Sequence, residues 1–97
     1  MLLSLFLLLL AQDVAPTQNA AASPDLSAAI ELAQSGRNAE ALTAMQKLAA
    51  ANPEDHLTRL WIANVYMRMG QPELAEPIYR SITLEDPRNV DAWIGLG

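Results

Sequence analysis

Two adjoining segments, HLTRLWIANVYMRMG (residues 56–70) and QPELAEPIYRSITLEDP (residues 71–87), decide the fold. Apolar residues recur through both at helical spacing, and Gly70 stands where a helix can end in the left-handed conformation. Pro72 suits the first turn of a helix, and Pro87 follows its predicted end. The stretch therefore predicts two helices joined by a tight turn.

The same pattern occurs one period earlier in the chain. A fixed period of about 20–50 residues indicates stacked units that each pack on their neighbours. Identical residues recur at an offset of 34 in five pairs: Gly36 and Gly70, Ala41 and Ala75, Pro53 and Pro87, Leu26 and Leu60, Ala29 and Ala63. The sequence thus predicts a repeat of two helices per unit.

Polar residues mark where the helices begin. Ser23 is predicted to be the N-cap of the first helix, because Pro24 and an acidic residue follow it. Asn38 is predicted to cap the second helix of the first unit. Asn89 is predicted to cap a third start that runs to the last residue, Gly97.

These positions resemble the tetratricopeptide repeat, a unit of two antiparallel helices. The second unit carries the small, aromatic, glycine, alanine and proline residues typical of that family: Ala63, Tyr66, Gly70, Ala75, Tyr79 and Pro87. Arg59 departs from the pattern at a usually bulky apolar position. Pro77 lies inside the second helix, where we expect it on the outer face.

The resemblance implies an all-α superhelix of antiparallel helix pairs, with two complete repeats and a truncated third. It covers about residues 22–97, with a repeat domain at 24–97. The predicted units are about 22–55, 56–89 and the incomplete 90–97. Because such units are stable only when stacked, we expect the chain to be the N-terminal part of a longer protein or a truncated product.

The resemblance also implies that one side of each first helix faces a concave groove where partners lie. In the second unit these residues are Leu57, Leu60, Trp61, Asn64, Met67 and Arg68. Contiguous apolar surface of this kind usually has a partner. One interpretation is that the N-terminal segment, further repeats or another subunit covers it.

The other interpretation is a peptide groove, in which Trp61 and Leu60 anchor apolar side chains and Asn64 binds backbone amides. Some chaperone-binding members of the family hold a peptide's terminal carboxylate with an asparagine at this place. Those members also need lysines on the groove, and Lys47 is the one lysine in this chain, on the second helix of the first unit. The sequence therefore argues against a carboxylate clamp.

Composition excludes several classes of function. Eleven acidic and six basic side chains give a net charge of −5, which disfavours binding to nucleic acid. The absence of cysteine excludes disulfides and thiolate metal sites. His56 is the one histidine, and we interpret it and Glu54, Asp55, Glu85 and Asp86 as surface charge. No catalytic triad, phosphate loop, cofactor site or metal site is predicted, and we expect no enzyme here.

The N-terminus is apolar from Met1 to Ala11 apart from one serine. A helix needs about 20 apolar residues to span a bilayer, so the run fits a secretory signal peptide cut before Gln12. A mis-assigned start codon and an uncleaved helix lying in a membrane interface remain alternatives. Residues 12–23 are predicted to be a flexible linker.

We therefore expect a protein–protein interaction scaffold in an exported bacterial protein, periplasmic or secreted. Its partner would be a protein or peptide, with membrane contact only through the export segment and self-association through exposed repeat ends. The alternative is the repeat region of an envelope-assembly or polysaccharide-export component, with a barrel or enzyme domain beyond Gly97. A membrane-surface protein anchored by Leu2–Leu10 is a third class.

Overall fold

The computed structural model describes residues 23–97. The predicted signal peptide and all of the predicted linker except Ser23 lie outside the described residues. Over residues 23–97 every regular element is a helix, and the all-α prediction is confirmed. The helices are α1 (Pro24–Gln34), α2 (Asn38–Ala51), α3 (His56–Arg68), α4 (Pro72–Glu85) and α5 (Val90–Leu96).

The turn after the first helix of each pair is the same structure twice. Gly36 and Gly70 have φ angles of 89° and 74°, which glycine adopts without steric cost. The backbone N–H of the residue after each glycine donates to the carbonyl five residues earlier. Arg37 donates to Leu32 at 2.8 Å, and Gln71 donates to Tyr66 at 2.9 Å. These bonds satisfy carbonyl groups that the helix end would leave unpaired.

The turn after the second helix of each pair also repeats. Asn52 and Asp86 are 34 residues apart, with φ and ψ of −142° and 79° in the first and −139° and 85° in the second. The backbone N–H of each donates to a carbonyl in the last turn of its helix. The period in the sequence is therefore a period in backbone conformation.

Side-chain caps begin three of the helices. Ser23 and Asn89 each accept a hydrogen bond of 3.1 Å from the N–H three residues further on, as predicted. Asp55 caps α3 by accepting from the N–H groups of Leu57 and Thr58, at 3.1 and 3.4 Å. This third cap was not predicted from the sequence, although aspartate is a favoured N-cap residue.

The predicted Asn38 cap is wrong. Helix α2 begins at Asn38 itself, and Arg37 occupies the N-cap place without a side-chain hydrogen bond. The closure of α1 at Gly36 sets this short turn, so Asn38 already has helical geometry and lies past the position from which a side chain caps. Its Oδ1 atom is buried without a hydrogen-bond partner among residues 23–97.

Each helix packs on the next one along the chain, and α3 also contacts α1 and α5. The first core cluster joins α1, α2 and α3, and the second joins α3, α4 and α5. The first contains Leu26, Ala29, Ala33, Ala41, Met45, Ile62 and Val65, and the second contains Leu60, Ala63, Ala75, Tyr79, Ile82 and Ala92. Tyr66 and Ile78 pack against both, so the two clusters form one continuous stack.

Small residues set how closely the helices approach. Ala41 and Ala75, related by the repeat, are fully buried on α2 and α4. Helix α4 continues through Pro77, which is exposed as expected. None of the helices in residues 23–97 is long and apolar enough to cross a membrane.

Candidate functional site

A groove of about 530 Å³ lies where α3 and α5 run beside each other. Five of the six predicted groove residues line it: Leu57, Leu60, Trp61, Asn64 and Met67. Four further residues complete the lining, from α4 and α5: Tyr79, Asp91, Ile94 and Gly95. The helical spacing that the sequence predicted therefore brings most of these side chains to one surface.

Most of the groove wall is apolar and in contact with solvent. Met67 is 46% exposed and Ile94 69% exposed. Leu57 and Trp61 are half-buried, because one side of each packs against the first core cluster. An apolar ligand in the groove would bury apolar side chains that are otherwise exposed to solvent.

Two of the predicted groove residues contribute mainly to the fold, one as a core residue and one as a contact between helices. Leu60 is only 6% exposed and belongs to the second core cluster, so only its edge reaches the groove. Arg68 does not line the groove. Its Nη1 atom donates to the backbone carbonyl of Ala33 at 3.0 Å, which ties α3 to the end of α1.

A hydrogen bond inside the groove orients Asn64. The hydroxyl of Tyr79 donates to Oδ1 of Asn64 at 2.5 Å. The ordinary pKa of a tyrosine hydroxyl, 10.0, already keeps Tyr79 protonated and a donor at neutral pH, and burial raises the pKa of Tyr79 further. With Oδ1 engaged, the amide nitrogen of Asn64 has no acceptor among residues 23–97 and is available as a donor.

Gly95 makes space for the ring of Tyr79. A Cβ atom added at Gly95 would overlap that ring. Because Tyr79 is almost fully buried, the ring cannot move aside easily. Glycine at this position therefore allows α5 to lie close to α4 and lets the phenol reach Asn64.

Three of the four lining residues that were not predicted could have been found from the sequence. Asp91, Ile94 and Gly95 stand 34 residues after Leu57, Leu60 and Trp61. Extending the repeat offset into the third unit would have found all three. Tyr79 gave no such signal, because its place in the groove depends on how α4 packs between α3 and α5.

A smaller depression of about 300 Å³ adjoins the groove. The two share part of their lining, namely Met67, Tyr79 and Gly95. The smaller one is completed by Pro72, Glu76, Leu96 and Gly97. Together they form one extended apolar surface that carries a carboxylate in each part, Asp91 and Glu76.

A polar cluster joins the start of α3 to the end of α4. Arg59 donates to Oε1 of Glu85 at 2.8 Å and to Oγ of Ser81 at 2.5 Å. Nε2 of His56 lies 3.0 Å from the same Glu85 oxygen, and Nδ1 lies 3.9 Å from Asp86. The hydrogen bond from Arg59, assisted by that from His56, lowers the pKa of Glu85 to about 2. These charges are therefore paired across two helices.

The polar cluster has no group of side chains of the kind that holds a metal ion. Within residues 23–97, no group of three or more His, Cys, Asp or Glu side chains could hold a metal ion. His56 faces two carboxylates, and the one hydroxyl in the cluster, that of Ser81, accepts from Arg59 and donates to Glu85. A histidine in this position serves as an interhelical contact.

Comparison with known proteins identifies the repeat. The family model described as "Tetratricopeptide repeat" matches residues 32–97. No curated protein and no solved structure matches the chain.

Proposed function

The chain belongs to the tetratricopeptide repeat family, whose repeats generally mediate protein–protein interaction, and we propose that it binds a peptide segment of a partner protein in the groove between α3 and α5. The observation that supports this most strongly is the exposed apolar wall around Trp61. Tryptophan is the residue type most often found as an interface hot spot, and contiguous exposed apolar surface usually has a partner.

Asn64 supplies the polar contact that such a groove needs. The Tyr79 hydroxyl occupies Oδ1, and this leaves the amide nitrogen to donate to a backbone carbonyl of the bound segment. A few fixed polar groups in an apolar groove set the orientation of a ligand. We propose that Trp61 provides contact area and that Asn64 sets the register of the peptide.

The experiment selects peptide ligands and tests whether they use Trp61. A phage-displayed library of random peptides is selected on the immobilised full chain, and the recovered peptides are synthesised and titrated by calorimetry. We expect Trp61→Ala to weaken binding by about 2 kcal/mol or more. Trp93→Ala is the matched control, because Trp93 is 52% exposed and does not line the groove.

Stability measurements separate a binding groove from buried core. Trp61→Ala should change the urea midpoint much less than Tyr66→Ala, because Tyr66 packs against both core clusters. Equal destabilisation by the two variants would mean that Trp61 serves as core or as a subunit contact. Recovery of no peptide whose binding depends on Trp61 would also contradict the proposed function.

We further propose that the protein is exported to the periplasm or secreted. The apolar run from Met1 to Ala11, followed by Gln12, supports this. Expressed with its own N-terminus in a Gram-negative host, the protein should accumulate in the periplasm with Gln12 at or near its N-terminus. N-terminal sequencing that returned Met1 from the cytosolic fraction would contradict export.

A further inference from the structure

The charges along the groove all have one sign. Asp91 lines the main groove, and Glu76 lines the adjoining depression. Among residues 23–97, no lysine, arginine or histidine lines either part. A ligand in the groove therefore meets carboxylates and no cations.

Most nearby cations are already engaged elsewhere. Arg80 pairs with Glu76, and Arg59 pairs with Glu85 in the polar cluster at the far end of α4. Arg68 donates to a backbone carbonyl of α1. Asp91 lies in the first turn of α5 and takes part in no ion pair within residues 23–97. It is therefore the groove carboxylate that has no basic partner.

We propose that the groove selects a cationic apolar segment, in which an aliphatic or aromatic side chain lies against Trp61 and a lysine or arginine within four residues of it meets Asp91. This inference rests on the proposed function and specifies its ligand. Charge complementarity carries it: Asp91 borders an apolar wall, and the whole chain has a net charge of −5, which attracts a cationic ligand from a distance.

Other occupants fit the charges less well. A segment that ends in a free carboxylate would place like charges together at Asp91, which disfavours binding. A second copy of the chain would bring a net charge of −5 against the same charge. A neutral apolar segment would fill the groove but leave Asp91 without a partner.

The test uses the peptides recovered on the full chain in the selection described above. We expect most peptides whose binding depends on Trp61 to carry at least one lysine or arginine within four residues of an apolar side chain. Asp91→Asn should weaken their binding about two- to five-fold, as for a partly exposed ion pair. The same loss should follow when the basic residue of the peptide is replaced by glutamine.

A double-mutant cycle makes the assignment specific. With the glutamine peptide, Asp91→Asn should have no further effect, because the pair is already absent. Binding of the basic peptide should also weaken as salt rises from 0.1 to 1 M, since the screening length falls from about 10 to about 3 Å. Asp25→Asn, an exposed acid on α1, controls for the change in net charge.

The outcomes that contradict the charge preference can be distinguished from those that contradict the proposed function. Peptides that depend on Trp61 but are neutral or acidic, or that are unaffected by Asp91→Asn, would overturn this inference and leave the proposed function standing. A concentration-dependent dimer in sedimentation that Trp61→Ala abolishes would place a second copy in the groove and overturn it as well. Failure of the Trp61 dependence would overturn both.

Discussion

Equivalent places at the two junctions between repeats differ in burial, and a groove lies at the second junction. Leu26, Leu60 and Ile94 stand at equivalent places 34 residues apart, yet the first two are buried and Ile94 is exposed. Leu60 is covered by residues of α4 and α5, whereas Ile94 lies on α5, the last of the described helices, and borders the groove. Residues at equivalent places in the repeat can therefore be buried in one unit and exposed in another.

The two junctions also differ by two exchanges of residue size. At the first junction, bulky Trp61 packs against the cluster that contains slender Met45. At the second, the equivalent of Trp61 is Gly95, and the equivalent of Met45 is Tyr79. The large side chain belongs to the following helix at the first junction and to the preceding helix at the second, where the ring of Tyr79 lies against Gly95.

The largest effect should come from Tyr79, the bulky side chain of the second junction. Tyr79→Ala removes a buried ring and should lower the free energy of unfolding by about 3–5 kcal/mol. Tyr79→Phe keeps the ring but loses the hydrogen bond to Asn64, at a cost of about 1 kcal/mol. Urea melts of both variants provide the measurement. If the alanine variant lost no more free energy of unfolding than the phenylalanine variant, the prediction would be wrong.

The buried alanines should give the next largest effect, and an equal one at both junctions. Ala41→Leu and Ala75→Leu add volume where helices touch and should each cost about 1–3 kcal/mol through overpacking. Ala50→Leu, on the exposed side of α2, is the matched control and should change stability by less than about 0.5 kcal/mol. If Ala41→Leu and Ala75→Leu differed greatly in their loss of stability, the two repeats would not be equivalent at these positions.

Gly95→Ala tests whether glycine allows α5 to pack closely on the ring of Tyr79. Alanine is about 1 kcal/mol better than glycine inside a helix, but its Cβ would overlap the ring of Tyr79. Because that ring is buried, we expect a net loss of about 1 kcal/mol and weaker binding of groove peptides. Val90→Ala, at an exposed place on the same helix, is the control. A stabilised Gly95→Ala protein would mean that α5 does not pack on Tyr79.

The smallest effect concerns stability at acidic pH and tests a carboxylate of the second repeat, Glu85. The pKa of Glu85 is lowered from 4.5 to about 2 in the folded protein, chiefly by Arg59. Its ionised form therefore stabilises the fold above pH 4.5, and this contribution is lost as the pH falls from 4.5 towards 2. In Arg59→Met the decline in stability over that window should be shallower than in the parent protein.

Arg80→Met controls for the loss of one positive charge, because it removes the arginine of the separate pair with Glu76 on α4. Urea melts between pH 2 and 6 provide the measurement. If Arg59→Met and Arg80→Met changed the pH dependence equally, the effect would come from net charge and not from the contact between α3 and α4.

The elements that the sequence predicted correctly are those fixed by local geometry. Gly36 and Gly70 end helices because they accept positive φ, and Ser23 and Asn89 begin helices because their oxygens reach the N–H three residues on. Asn38 was predicted by the same rule and failed, because the turn that closes α1 had already set its backbone geometry.

Helical spacing also determined which face of α3 carries the groove residues, but it did not determine their depth. Leu60 and Trp61 are neighbours in sequence and were predicted for the same surface. Leu60 is in the core because residues of α4 and α5 pack on it, whereas Trp61 packs against the first core cluster on one side and lines the groove on the other. Arg68 turns instead to the end of α1.

The sequence by itself determined the helices, their order and the 34-residue period, since each depends on residues only a few places apart. Only the tertiary structure decided that the second junction is open, that the Tyr79 hydroxyl orients Asn64, and that Arg59, His56 and Glu85 meet across two helices. Those features depend on the distances between helices. Such distances are set by the summed volumes of side chains from different units, and no local pattern in the chain records that sum.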